Sequence, residues 1–178
     1  LRNGLTEAAA DTAAHLLQEA LRITRANKAG KLLDEKKYDE AITYYTELSK
    51  NEPTSADHLM GLGNAYFSRA ATKQDAAKKA DYKLSGDAYA QAFQVKKEDA
   101  NLVFNAALAY QNASELALAE GQWREAVKLN SKDAEALSSL GSVLADEAKF
   151  DEAVRVLHQA VAEKPDNKVY FRQLGAAY

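Results

Sequence analysis

Three histidines, His15, His58 and His158, are the side chains best suited to carry a proton or a metal near neutral pH, and they are scattered along a 178-residue chain. None has a second histidine or a carboxylate at the H-E-x-x-H spacing that turns two imidazoles toward one ion. His15 and Glu19 stand four residues apart, which on a helix makes a surface contact rather than a site. The stretch GLGNAY at 61–66 opens like a dinucleotide-binding loop but lacks the third glycine and a preceding strand. NAS at 112–114 is a glycosylation sequon that matters only in a secreted eukaryotic chain. There is no cysteine, which removes thiol catalysis, disulfides and Cys-ligated zinc. With no catalytic constellation in view, the chain is expected to be no enzyme and to need no cofactor or metal.

The totals exclude other classes. Hydrophobic residues make up 47% and charged residues 28%, the balance of a folded domain rather than a disordered one. A net charge of −3 is too small to steer toward nucleic acid, so none is expected as a partner. No run of about 18 apolar residues exists to span a membrane. The chain opens at Leu1 rather than Met and is read as a processed or excised piece, soluble, from the cytoplasm or, with a signal removed, the periplasm.

The elements that must position any site announce themselves by repetition. YDEAITYYTELSKNEP (38–53) and FDEAVRVLHQAVAEKP (150–165) open alike and close on the chain's only two prolines, 112 residues apart. Ala29 and Gly63 are 34 apart, as are Ala107, Gly141 and Gly175, while the step from Gly63 to Ala107 is 44. Tyr45, Tyr89, Trp123 and Leu157 form a second column, and Tyr66, Tyr110 and Tyr178 belong to a third, all expected to pack in the core. Apolar spacings of three and four make each half-repeat an amphipathic helix. The segments LMGLGNAY, VFNAALAY, LSSLGSVL and FRQLGAAY resemble the tetratricopeptide repeat, over roughly residues 22–178.

That resemblance implies an all-α fold, a right-handed superhelical α-solenoid of helix-turn-helix repeats. The repeats fall at 22–55, 56–99, 100–133 and 134–167, with a half repeat at 168–178. The second carries ten extra residues, read as lengthening both of its helices by about five. Its tip is locally basic (Arg69, Lys73, Lys78, Lys79 and Lys83 against Asp75 and Asp81) and is read as solvated, with contact to an acidic partner as the rival. Residues 1–21 form an N-terminal helix capped at Thr6. It either turns to cap the first repeat, the preferred reading, or runs on into it and leaves Leu16, Leu17 and Leu21 uncovered. Phe171, Leu174 and Tyr178 are expected to pack on the fourth repeat, and weak self-association through this open half repeat is expected.

In this family the first helix of each pair lines a concave groove, so the resemblance implies a peptide- or partner-binding face. Its residues are Asp57, Met60, Asn64 and Phe67 in the second repeat, and Asn101, Phe104, Asn105, Leu108 and Asn112 in the third. Glu135, Ser138, Ser139 and Ser142 follow in the fourth, then Arg172 and Gln173. Members that clamp a terminal carboxylate do so with Lys and Arg, whereas the matching places here hold Met60, Asn64, Asn105, Glu135 and Ser139. Asn27, Asn105, Ser139 and Gln173 form a polar column, interrupted by Gly61, that resembles an asparagine ladder for peptide backbone. Phe104 and Asn105 are expected to stand outside the packing columns. The leading expectation is a non-enzymatic scaffold that binds a peptide segment or partner protein. A self-associating structural module and a regulatory domain of a larger enzyme are the alternatives.

Overall fold

The computed structural model describes the backbone of residues 2–178 and the side chains of residues 8–178. Among these residues lie nine helices and no strand: α1 (Arg2–Asp34), α2 (Tyr38–Asn51), α3 (Ala56–Ala70), α4 (Asp75–Val95), α5 (Ala100–Ala113), α6 (Leu116–Leu129), α7 (Ala134–Asp146), α8 (Phe150–Glu163) and α9 (Lys168–Ala177). Each helix packs on the next, α1 also meets α3, and α7 also meets α9. Turns this short return the chain antiparallel, so the helices stack as pairs in an α-solenoid. None of them is long and apolar enough to cross a membrane.

The repeat is written into both kinds of helix end. Ser55, Asp99, Asp133 and Asn167 cap α3, α5, α7 and α9, each accepting a backbone N–H two or three residues on at 3.0–3.4 Å. Such a cap is worth about 1 kcal/mol. Within the pairs, Lys36, Ser114 and Ala148 take φ of +60° to +64°. The N–H of each following residue then bonds back to the carbonyl of Leu32, Tyr110 or Leu144 at 2.8–2.9 Å, the Schellman closure of a helix end. No glycine marks these turns.

Large side chains seat on bare backbone between the helices. A Cβ on Gly141 would lie 2.5 Å from Leu157, and one on Gly63 would lie 3.0 Å from the Tyr89 ring. Trp123, Leu144 and Leu157 are fully buried in the main core, which runs from α3 to α9, while Leu32, Ala41, Ile42 and Ala65 make a smaller one between the first two pairs. Tyr178 departs from its expected column: it is 82% exposed, with its hydroxyl 2.9 Å from His158 Nε2. Phe171 is half exposed, so Tyr170, Leu174 and Ala177 make the seal on the fourth repeat instead.

The insertion is not shared evenly. α4 has 21 residues against 14 in α2, α6 and α8, and it starts seven residues before Tyr82, where the other three start at the equivalent residue. α3 gains little, and the turn at 71–74 takes the rest. The added part of α4 contains Asp81, only 3% exposed. Arg69 grips it through two bonds of 2.7 and 2.8 Å and Lys73 through one of 3.0 Å, while Arg69 also reaches Asp39. Lys83 pairs with Asp87. Three of the five basic residues expected at a free tip are therefore spent internally, and Lys78 leans over the Tyr82 ring.

The N-terminal segment does not turn back. α1 is one unbroken helix of 33 residues, about 50 Å long at 1.5 Å per residue. Thr6 falls inside it, and the side chains of Thr6 and Glu7 lie outside the described residues. Alanine-rich sequence with neither glycine nor proline between Leu5 and Ala29 favours this continuity. Leu16, Leu17, Leu21 and Ile23 are 49–62% exposed as a result. Arg22 reaches Glu52 and Arg25 reaches Glu47, tying α1 to the end of α2.

Two outcomes follow. Ala148→Gly removes a left-handed Cβ penalty of about 1–2 kcal/mol against about 0.5–1 kcal/mol of added unfolded-state freedom, so urea unfolding should show a gain of about 0.5–1 kcal/mol. Glu120 is held down at about 2 by Lys149, against the opposing effect of burial, and then by Arg124. For Asp81, burial alone would raise the carboxyl, but Arg69 and Lys73 together keep it below the ordinary range. Depressed carboxylates stabilise fully above their unfolded pKa and lose that contribution as pH falls through the folded one. Thermal melting should therefore be flat above about pH 5 and fall steadily toward pH 2, and Glu120→Gln should melt lower at pH 7 with a shallower acid limb.

Candidate functional site

α5 defines what the first helix of a pair leaves to solvent. Leu102, Val103, Ala106, Ala107, Ala109, Tyr110 and Ala113 are buried. Apart from Ala100 at its start, only Asn101, Phe104, Asn105, Leu108, Gln111 and Asn112 reach the surface, on one stripe. α7 exposes the same stripe as Glu135, Ser139, Ser142, Ala145 and Asp146, with Ser138 covered. Equivalent positions are Ile23, Asn27, Gly30 and Asp34 in α1, Asp57, Met60, Asn64, Phe67 and Ser68 in α3, and Val169, Arg172, Gln173 and Ala176 in α9.

The apolar members are less free than their spacing suggests. Phe104 packs edge-on against Trp123 with ring centroids 4.8 Å apart, and Leu108 leans on the same core. The expectation that Phe104 stands outside the packing is thus corrected. Trp123 itself is fully buried, and Phe104 covers its ring from the side of the open face. Phe67 packs on Tyr82 in the same way, at 5.0 Å. Met60 is 37% exposed.

The polar members divide into two sets. Some are engaged: Asn64 Oδ1 accepts from the Tyr89 hydroxyl, Asp57 pairs with Lys96 at 2.9 Å, and Gln111 accepts from the Trp123 indole at 3.1 Å. Gln173 joins two serines of α7, accepting from the Ser138 hydroxyl at 2.5 Å and donating to Ser142 Oγ at 2.7 Å. Burial pushes the Tyr89 phenol up to about 12, so it stays a donor at neutral pH and leaves the Asn64 amide N–H₂ for other partners. The side chains of Asn27, Asn101, Asn105, Asn112, Glu135, Ser139 and Arg172 make no hydrogen bond or ion pair among the described residues. Gly61 breaks the polar column for a steric reason, because any Cβ there would lie only 2.3–2.8 Å from atoms of the Tyr45 ring.

Sequence reasoning missed Gln111, Asp34, Asp146 and the reach of Tyr89. Asp34 and Asp146 follow from extending the stripe by one more helical turn, and Gln111 from taking both surface positions of the turn that holds Asn112. Tyr89 could have been suspected because a buried tyrosine needs a partner for its hydroxyl. The histidines do not converge: His15 is exposed on α1, and buried His58 lies 3.6 Å from Glu52. Among the described residues no group of three His, Asp or Glu is arranged to hold a metal. A cleft of about 510 Å³ between α1 and the end of α2 is lined by His15, Leu21, Arg22, Arg25, Leu48 and Glu52. Glutamates already neutralise both of its arginines.

Similarity to known proteins agrees with this geometry. Residues 27–93 and 104–168 match the sequence profile of the tetratricopeptide repeat. The crystal structure of YrrB, described as a TPR protein with an unusual peptide-binding site, is similar with a TM-score of 0.69 and 23% identity, covering 93% of this chain and 81% of that one. MamA is similar at 0.72 and 20%, covering 88% and 80%. The first TPR of Spaghetti (RPAP3), bound to the HSP90 peptide SRMEEVD, is similar at 0.57 and 25%, covering 68% and 89%. A comparison with curated protein sequences finds no match. The helix pairs build the right-handed superhelical solenoid of these proteins, and with both halves matching the repeat profile, the chain belongs to the tetratricopeptide repeat family.

Proposed function

We propose that the chain is a non-enzymatic scaffold that holds an extended segment of a partner protein along the open face of its first helices. The observation that carries this reading is the row of side chains whose hydrogen-bonding capacity is unspent: Asn27, Asn101, Asn105, Asn112 and Ser139. An amide both donates and accepts, as a peptide backbone requires of a partner. First helices of adjacent pairs sit about 10 Å apart, and an extended peptide advances about 3.3 Å per residue. Amides on successive helices therefore meet the backbone of about every third ligand residue.

The similar proteins support the same reading, since YrrB is described with a peptide-binding site and the Spaghetti repeat with a bound peptide. The binding mode of that acidic peptide is not extended to this chain. The places of a carboxylate clamp hold Met60, Asn64, Asn105, Glu135 and Ser139, with no lysine or arginine among them.

The test is a peptide-display selection on the folded chain, followed by calorimetry of the enriched peptides. Asn105→Ala should weaken binding by about 1 kcal/mol without moving the melting temperature, because its side chain bonds nothing in the free protein. Phe104→Ala should instead cost about 2 kcal/mol of stability, since half a ring's packing on Trp123 is lost. Unchanged affinity in both Asn101→Ala and Asn105→Ala would refute the proposal.

A further inference from the structure

The charge on the open face is one-sided. Its positions hold four carboxylates, Asp34, Asp57, Glu135 and Asp146, against one cation, Arg172. The whole chain has 26 acidic and 23 basic residues. With Asp57 neutralised by Lys96, the three remaining carboxylates against Arg172 leave the face a net charge of −2 out of the chain's −3. Asp57 has Lys96 as a partner, but Asp34, Glu135 and Asp146 have none among the described residues, and all three are exposed.

Two of them stand where helix physics opposes them. Asp34 is the last residue of α1 and Asp146 the last of α7. There the negative pole of the helix dipole disfavours a carboxylate. They occupy the same place in the first and fourth repeats, 112 residues apart. Local stability therefore does not account for them, whereas a cationic ligand crossing the ends of these helices would.

We infer that the open face selects extended peptide segments rich in lysine and arginine. This deepens the scaffold reading and rests on it. The carboxylates draw in and orient the ligand's cations, while Asn101, Asn105 and Ser139 take its backbone. Exposed charges on the rim of a binding face act chiefly through encounter rate and salt dependence, and they are screened over about 10 Å at 0.1 M salt.

The experiment selects peptides from an unbiased 12-residue display library on the full chain. The enriched peptides are then measured as synthetic fluorescent probes between 50 and 300 mM NaCl. The expected result is enrichment of peptides with net positive charge, binding that weakens at least fivefold over that salt range, and a similar or larger loss in the triple variant Asp34→Asn, Glu135→Gln, Asp146→Asn. The triple variant should also lose most of the salt dependence and melt no lower than the parent, which separates a binding effect from unfolding. Neutral or acidic peptides that bind, lose affinity in Asn105→Ala and ignore the triple variant would overturn the charge inference while leaving the scaffold reading intact. Absence of any enriched peptide would overturn both.

Discussion

The structure depends on one steric arrangement: a large side chain from one helix laid on glycine backbone of its neighbour. Tyr45 covers Gly61, Tyr89 covers Gly63, Tyr110 covers Gly86 and Leu157 covers Gly141, and in each case an added Cβ would press into the covering side chain. A single amphipathic pair has nothing to bury its stripe against, so this seating must recur from pair to pair for the core to be continuous. It also determines what is left over. Once the buried rows of α5 and α7 are spent on packing, a single stripe per helix remains for solvent. The open face is thus a by-product of stacking, and its chemistry is free to vary.

Charge is handled in two ways across the molecule. Where a carboxylate is buried, as with Asp81, two cations from neighbouring elements surround it, because an unpaired charge there would be very costly. Glu120 is treated likewise, between Arg124 and Lys149, and joins α6 to the turn before α8. On the open face the opposite holds: Asp34, Glu135 and Asp146 are exposed and have no cation among the described residues. The contrast separates carboxylates that assemble the fold from carboxylates whose placement the fold does not explain.

Much of this was legible in the chain itself. The 34-residue period, the extra ten residues in the second repeat and the small-residue positions at Gly63 and Gly141 are all local patterns, and they located the helices and the seam between them. Phe104 was misread because its spacing matches the open stripe, while its burial comes from Trp123, nineteen residues on and in another helix. The insertion was divided wrongly because helix length alone could not show that Asp81 would draw Arg69 and Lys73 around the start of α4. The turns at Lys36, Ser114 and Ala148 carried no glycine to reveal their left-handed backbone.

By itself, then, the sequence determined the class of the protein. Period, amphipathicity and the alternation of large with small residues are set by neighbours three, four and thirty-four positions away, and those distances can be read along a string. The tertiary structure alone decided which polar side chains are spent and which are free. Asn64 meets Tyr89, and Gln173 meets Ser138 and Ser142, across 25 to 35 residues, while Asn101 and Asn105 on the same face meet nothing. It also decided that α1 runs straight past the first pair and leaves Leu16, Leu17 and Leu21 exposed. The reason is that a hydrogen bond or a buried contact belongs to two groups at once, and their meeting depends on how helices far apart in the chain come to lie against one another.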